Sequence, residues 1–208
     1  MRPHRLRSVL ISACVSVCVA SAVALSGAVP AVAESSSAPS RTVAEARSLT
    51  VLTDLFAERL LVADKVAAAK YGTATPIDDP VREKAILDDV AARAVGLGLD
   101  PEAVVAVFRD QIEANKLVQR GLYARWDAHP EERPTERPDL VKEVRPVLDR
   151  ITTQLLTALQ ETESLRAGAS CEPRLRAAAL RSAFEHRLDR LHGKGLVRAL
   201  PSVCEGRP

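Results

Sequence analysis

Three groups of polar side chains interrupt otherwise apolar helix faces of this sequence, and these are the residues that could carry chemistry. Arg59 and Lys70 lie eleven positions apart. At about 100° per residue this puts them within roughly 20° on one helix face, three turns from each other. Two cations on one stripe of a helix can be a functional pair. Long cationic side chains also reach solvent from the edge of an apolar face, and spacing alone leaves both readings open. Gln111, Asn115 and Gln119 recur at i, i+4 and i+8 among Phe108, Ile112 and Leu122. Amides on such a face need partners if they are buried. Asp79 precedes Pro80, with Arg82 and Glu83 three and four residues later, a pattern that serves equally as a helix N-cap with charges in its first turn. The chain has no Gly-x-Ser-x-Gly or His-x-x-x-His, and its cysteines are too few for a zinc site. His129, His186 and His192 fall in a linker or on the last helix and read as surface residues. No metal and no cofactor is expected.

These side chains must be positioned by helices, because no segment alternates at period two. Residues 34–47 are rich in Ser, Ala and Pro and read as a flexible leader. From there to about Tyr71, the apolar positions Leu52, Leu55, Phe56, Ala63, Val66 and Ala67 predict a long amphipathic helix. Residues 72–76 break it. Asp79-Pro80 starts a second helix running to about Val95, and Asp100-Pro101 repeats the signal for a third, to about Trp126. Residues 127–139 hold three prolines among charges and predict an extended connector. A fourth helix is expected from about Leu140 to Leu165, and a fifth from about Pro173 to His192. Residues 48–208 thus read as one all-α domain, a bundle of about five to six helices.

The start of the chain reads as a targeting segment. Arg2, Arg5 and Arg7 precede an apolar run from Val9 to Val29, and Ala31-Val32-Ala33 forms a small-x-small cleavage pattern. This predicts a signal peptide over residues 1–33 and a secreted or periplasmic protein, in preference to a membrane anchor or a lipoprotein. Loss of those residues, which contain three arginines and no acid, takes the formal charge from +2 to −1. The remaining charges are interspersed, which argues against nucleic acid as a partner, and no membrane association is expected after cleavage. Cys14 and Cys18 leave with the signal, and Cys171 and Cys204 form an even pair that reads as one disulfide in an oxidising compartment.

Taken together, Arg59 with Lys70, the stretch Pro76-Ile77-Asp78-Asp79-Pro80-Val81-Arg82-Glu83, and Asn115 with Gln119 closely resemble the active-site series of the helical chorismate mutases. Ala57-Glu58-Arg59-Leu60 and Val107-Phe108-x-Asp-Gln-Ile are also similar, so the likeness spans about Leu49 to Trp126. Pro138-Asp139-Leu140, Arg145 and the late cysteine pair resemble the secreted subclass with its extra C-terminal helices.

The resemblance implies conversion of chorismate to prephenate by a cofactor-free intramolecular rearrangement, within a site built by one protomer, in a protein that is often a homodimer. It implies Lys70 and Gln119 as donors to the ether oxygen of the substrate. Arg59, Arg82 and Arg145 would hold carboxylates, Asp79 and Glu83 the ring hydroxyl, and Asn115 the remaining carboxylate. Lys142 competes with Arg145, because the spacing after Leu140 is one residue longer than the resemblance calls for. Some secreted relatives carry Glu at the position of Gln119, and many carry Ser or Thr at that of Asn115. The alternative is a non-catalytic exported helical protein that binds a small dicarboxylate.

Overall fold

Aspartate side chains cap three of the helices at their starts. The structure, a computed structural model, describes the backbone of residues 41–204 and the side chains of residues 49–204. The signal peptide of residues 1–33 and the first part of the leader lie outside the described residues. Helix α1 is Arg41–Lys70, α2 Pro80–Gly96, α3 Pro101–Ala128, α4 Arg145–Glu161, α5 Glu163–Arg166, α6 Cys171–Glu185 and α7 Arg190–Arg198. Asp79 caps α2 by accepting from the Arg82 N–H at 3.0 Å, and Asp100 caps α3 through the Glu102 N–H at 2.9 Å. Proline follows each cap, where its missing N–H costs nothing. Among the described residues there is no strand, and none of their helices is long and apolar enough to cross a membrane.

Four elements depart from the sequence reading. Helix α1 begins at Arg41 and so takes in residues 41–47, which composition assigns to the leader. The connector after α3 contains a 3-10 turn, Pro130–Glu132. The expected fourth helix opens as a π turn, Leu140–Val144, and breaks at Thr162, whose hydroxyl donates to the Ala158 carbonyl at 2.6 Å. The expected fifth helix divides into α6 and α7. Between them Arg187 takes the left-handed region at φ 51°, and Asp189 caps α7 through the His192 N–H at 2.9 Å. Neither glycine nor proline marks that break.

Helix α1 packs against α3, α4, α6 and α7. The core it shares with them includes Leu52, Phe56, Leu60, Phe108, Val118, Ile151, Leu155 and Leu196. Burial of side chains of this size contributes roughly 1.5–3 kcal/mol each relative to exposure, and it holds the polar faces of α1, α3 and α4 in register. Helix α7 crosses at close range. A Cβ on Gly195 would stand 2.9 Å from both Leu60 Cδ2 and Val118 Cγ2, so only glycine fits there without displacement. His192 is buried, contrary to the expectation of a surface residue. Its Nε2 lies 3.0 Å from Asp64 of α1 and its Nδ1 2.7 Å from Asp189. The Asp64 hydrogen bond raises its pKa above 6.5, against the opposing effect of burial and with help from Asp189. Cys171 and Cys204 form a disulfide with Cα atoms 5.8 Å apart, tying the start of α6 to the segment after α7.

At the other end of α1, Tyr71 meets Tyr123 and Trp126 edge-on, both at 5.1 Å between ring centroids, and its hydroxyl donates to Asp127 at 2.5 Å. Arg133 of the connector covers the Tyr71 ring. This cluster fixes the last turn of α1, and with it Lys70, against the end of α3. Gly72 follows at φ 68°, a conformation open to glycine at little cost, and turns the chain toward α2.

Candidate functional site

Helices α1 to α4 and the segments before α2 and α4 line a cavity of about 550 Å³, and the eight side chains to which the resemblance gives roles all line it: Arg59, Lys70, Asp79, Arg82, Glu83, Asn115, Gln119 and Arg145. Lys142 does not line it. The reason lies in the π turn. The N–H groups of Val144 and Arg145 reach back five residues, to Asp139 and Leu140, so this turn holds one residue more than an α-helical turn. Leu140, Val144, Arg145, Leu148 and Thr152 then share the face turned to the cavity. Asp139 secures the start of the turn, accepting from the N–H groups of Val141 and Lys142 at 2.7 and 3.0 Å.

Arg59 is buried at 6% exposure. Among the described residues its one hydrogen bond is a long one, from Nη1 to Thr152 Oγ1 at 3.4 Å, and its Nε has no partner. The guanidinium lies 5.9 Å from the centroid of the Phe108 ring. Burial lowers its pKa to about 10, with Asp149 opposing the shift, so the group stays cationic at neutral pH. A desolvated cation with unpaired donors is costly unless an anion completes it.

Lys70 donates to the Pro76 carbonyl at 2.9 Å, leaving two of its three ammonium hydrogens for other partners. Burial lowers its pKa below 10.5, and Asp79, Glu83 and Asp78 offset part of the effect. The amides form a chain with one consistent orientation. Asn115 Nδ2 donates to the Arg59 carbonyl at 3.3 Å, which turns Asn115 Oδ1 toward Gln119 Nε2 at 2.7 Å. One Nε2 hydrogen of Gln119 remains, and its buried Oε1 has no partner. Gln111 stands apart from this pair, donating to the Ala199 carbonyl at 3.2 Å, because each i+4 step drifts about 40° around the helix.

Glu83 accepts the Asp79 N–H at 3.3 Å as well as two contacts from Lys116, and Arg82 and Arg145 are exposed at the rim. Sequence reasoning missed Lys116 and Arg93, both of which line the cavity. Arg93 donates to Thr153 at 2.8 Å. Lys116 lies directly after Asn115 and reads in sequence as an ordinary helix charge, yet it is 8% exposed. Burial alone would lower its pKa, but hydrogen bonds to Glu113, Glu83 and Asp78 outweigh this and raise it. The lining holds six cations, Arg59, Lys70, Arg82, Arg93, Lys116 and Arg145, against four acids, Asp79, Glu83, Asp89 and Asp149. Cations outnumber acids in the lining, which favours an anionic ligand.

Other chemistry finds little support among the described residues. One group of metal-ligating side chains occurs, His129, Glu131 and Glu132, all exposed and outside the cavity, with Glu132 paired to Arg125. Ser182 is fully buried and donates to Asp54 at 2.6 Å, and His186 also meets Asp54, at 3.4 Å, so the serine hydroxyl is committed to a carboxylate and not to an imidazole.

The fold and site define an all-helical bundle with a cavity lined by cations and amides. The model of the family chorismate mutase type II matches residues 50–120. The secreted chorismate mutase of Mycobacterium tuberculosis (strain ATCC 25618 / H37Rv) is 33% identical over 160 residues, which cover 77% of this chain and 80% of that protein. That of Mycolicibacterium smegmatis (strain ATCC 700084 / mc(2)155) is 32% identical over 166 residues, 80% of this chain and 91% of that one. The crystal structure of chorismate mutase from Burkholderia phymatum superposes with a TM-score of 0.75 at 33% identity, covering 78% of this chain and 99% of that one. This chain belongs to the chorismate mutase family, with the all-helical type II fold, and membership places it among the isomerases. The reading as a non-catalytic binder is not favoured.

Proposed function

We propose that the cavity binds chorismate as a dianion and that its side chains carry the rearrangement to prephenate. The supporting observation is Arg59, a buried cation with unpaired donors, in a cavity that it shares with Lys70 of the same helix, Gln119 of α3 and Arg145 of α4. Chorismate has two carboxylates, a ring hydroxyl and an enolpyruvyl ether. In the reaction the ether C–O bond breaks as a C–C bond forms within one molecule, so atoms and electrons balance without a nucleophile or an external proton. The protein must hold a compact chair-like conformer and stabilise the ether oxygen as it gains negative charge.

Arg59 and Arg145 hold the carboxylates, with Arg82 at the rim, and fixing the reactive conformer supplies much of the acceleration. Lys70, with two free hydrogens, and Gln119, with its second Nε2 hydrogen, donate to the ether oxygen. Preorganised donors of this kind contribute on the order of 10² to 10³ each in rate. Asp79 and Glu83 accept from the ring hydroxyl. Asn115 orients Gln119 through its bond to the Arg59 carbonyl and offers its other Nδ2 hydrogen to a carboxylate. Residues 1–33 direct export and are removed after Ala33, in keeping with relatives named as secreted.

A crystal structure with a dicarboxylate transition-state analogue tests the assignment. Lys70 Nζ and Gln119 Nε2 are expected within hydrogen-bond distance of one ether oxygen, with Arg59 on a carboxylate. An analogue bound with that oxygen facing neither side chain overturns it.

A further inference from the structure

Lys116 is a cavity residue whose hydrogens are already committed. Its ammonium has three donors, and three carboxylates surround it: Glu113 at 2.5 Å, Glu83 at 3.1 and 3.2 Å, and Asp78 at 3.3 Å. No hydrogen is left for a ligand, in contrast to Lys70. The three acids come from three places, the loop before α2, the first turn of α2, and α3 itself. The Lys116 side chain is only 10% exposed, so this is not a solvated surface pair.

We infer that Lys116 is a positioning residue, which acts on substrate through Glu83 by fixing its carboxylate as the acceptor for the ring hydroxyl. This rests on the functional reading above. Glu83 Oε1 receives both the Asp79 N–H and Lys116, whereas Oε2 receives Lys116 alone, which leaves Oε2 a lone pair for the hydroxyl. The same ammonium counters the negative charge of Glu83, Asp78 and Glu113 beside a cavity that must admit a dianion. Arg120 supports the arrangement from the outside, with Nη2 at 2.6 and 2.7 Å from the Asp78 oxygens. Replacing Lys116 with a neutral residue lowers the charge of the cavity lining by one and frees Glu83 to turn away.

A double-mutant cycle on chorismate turnover by the purified protein separates positioning from bulk stability. Lys116→Met is expected to raise KM about tenfold and lower kcat less, and Lys116→Arg, which keeps the charge, to restore KM to within about threefold. In a Glu83→Gln background the KM penalty of Lys116→Met should shrink to about twofold or less. Lys116→Gln is measured in both backgrounds, so the result does not depend on folding of the Met variant. Equal penalties in the two backgrounds overturn the inference, as does an unchanged KM in Lys116→Met and Lys116→Gln. Absence of turnover in the unsubstituted protein overturns the functional reading itself, and this inference with it.

Discussion

Gln119 has no titratable proton, so its donor is present at any ordinary pH, whereas a Glu at the same place donates only while protonated. The kcat/KM profile should therefore stay level through neutral and mildly alkaline pH. A collapse between about pH 5 and 7 would count against Gln119 as the donor. Glu in its place should confer that collapse, so Gln119→Glu is expected to be most active in acid and to lose activity as the carboxyl ionises. On the proposed assignment of Lys70 as a donor to the ether oxygen, the alkaline limit belongs to it. Burial lowers its pKa from 10.5, so it loses its proton, and the protein its activity, at lower pH than an unperturbed lysine would. An alkaline limb centred above pH 10.5 would exclude Lys70 as the group responsible. At this scale the sequence was informative wherever a charge or amide interrupts an apolar face, as at Arg59 and Gln119. It could not separate Gln111 from Asn115, because the 40° drift between them decides which element each one faces. Lys116 was illegible because two of its three acids, Asp78 and Glu83, are brought to it only by the tertiary fold, and its local partner Glu113 reads as an ordinary helix pair.

Helices with capping signals were read closely, as Asp79-Pro80 and Asp100-Pro101 show, since a cap and a proline fix the first turn by local chemistry. The π turn was not foreseen, and Arg145, which follows it, lines the cavity where Lys142 does not. The break between α6 and α7 was missed because Arg187, with no helix-breaking composition, takes up the left-handed residue. Docking of α7 depends on His192, which links it to α1. A pKa raised above 6.5 means that the imidazolium is stabilising: the contribution is complete below about pH 6.5 and is lost as pH rises through the folded-state value. Urea unfolding of His192→Gln should thus show a larger deficit from the unsubstituted protein at pH 6 than at pH 9, and equal deficits would refute the linkage. Gly195→Ala should destabilise by about 1–2 kcal/mol from overpacking against Leu60 and Val118, both fully enclosed. An unchanged or raised stability would show that the neighbours can yield.

Over the whole molecule, the all-helical class followed from periodicity and the absence of alternation, while the assembly of four helices about one cavity needed the family resemblance to be anticipated. The disulfide closes a sequence separation of 33 residues far along the chain, and neither cysteine lines the cavity. In the chain-entropy model it stabilises by roughly 3–4 kcal/mol. Cys171→Ser with Cys204→Ser should lower stability by that order while leaving kcat/KM within about twofold, and a large loss of activity at permissive temperature would tie α6 and α7 to the site. The chemistry itself rests on placement of cations and amides about a dianion. Its most direct test is the disappearance of chorismate absorbance with purified protein and no added metal or cofactor, compared between the intact chain and Lys70→Ala. The intact protein should convert chorismate to prephenate, and Lys70→Ala should fall by a factor on the order of 10² to 10³ in kcat. Binding of chorismate by the intact protein without turnover, or full activity in Lys70→Ala, would contradict the account.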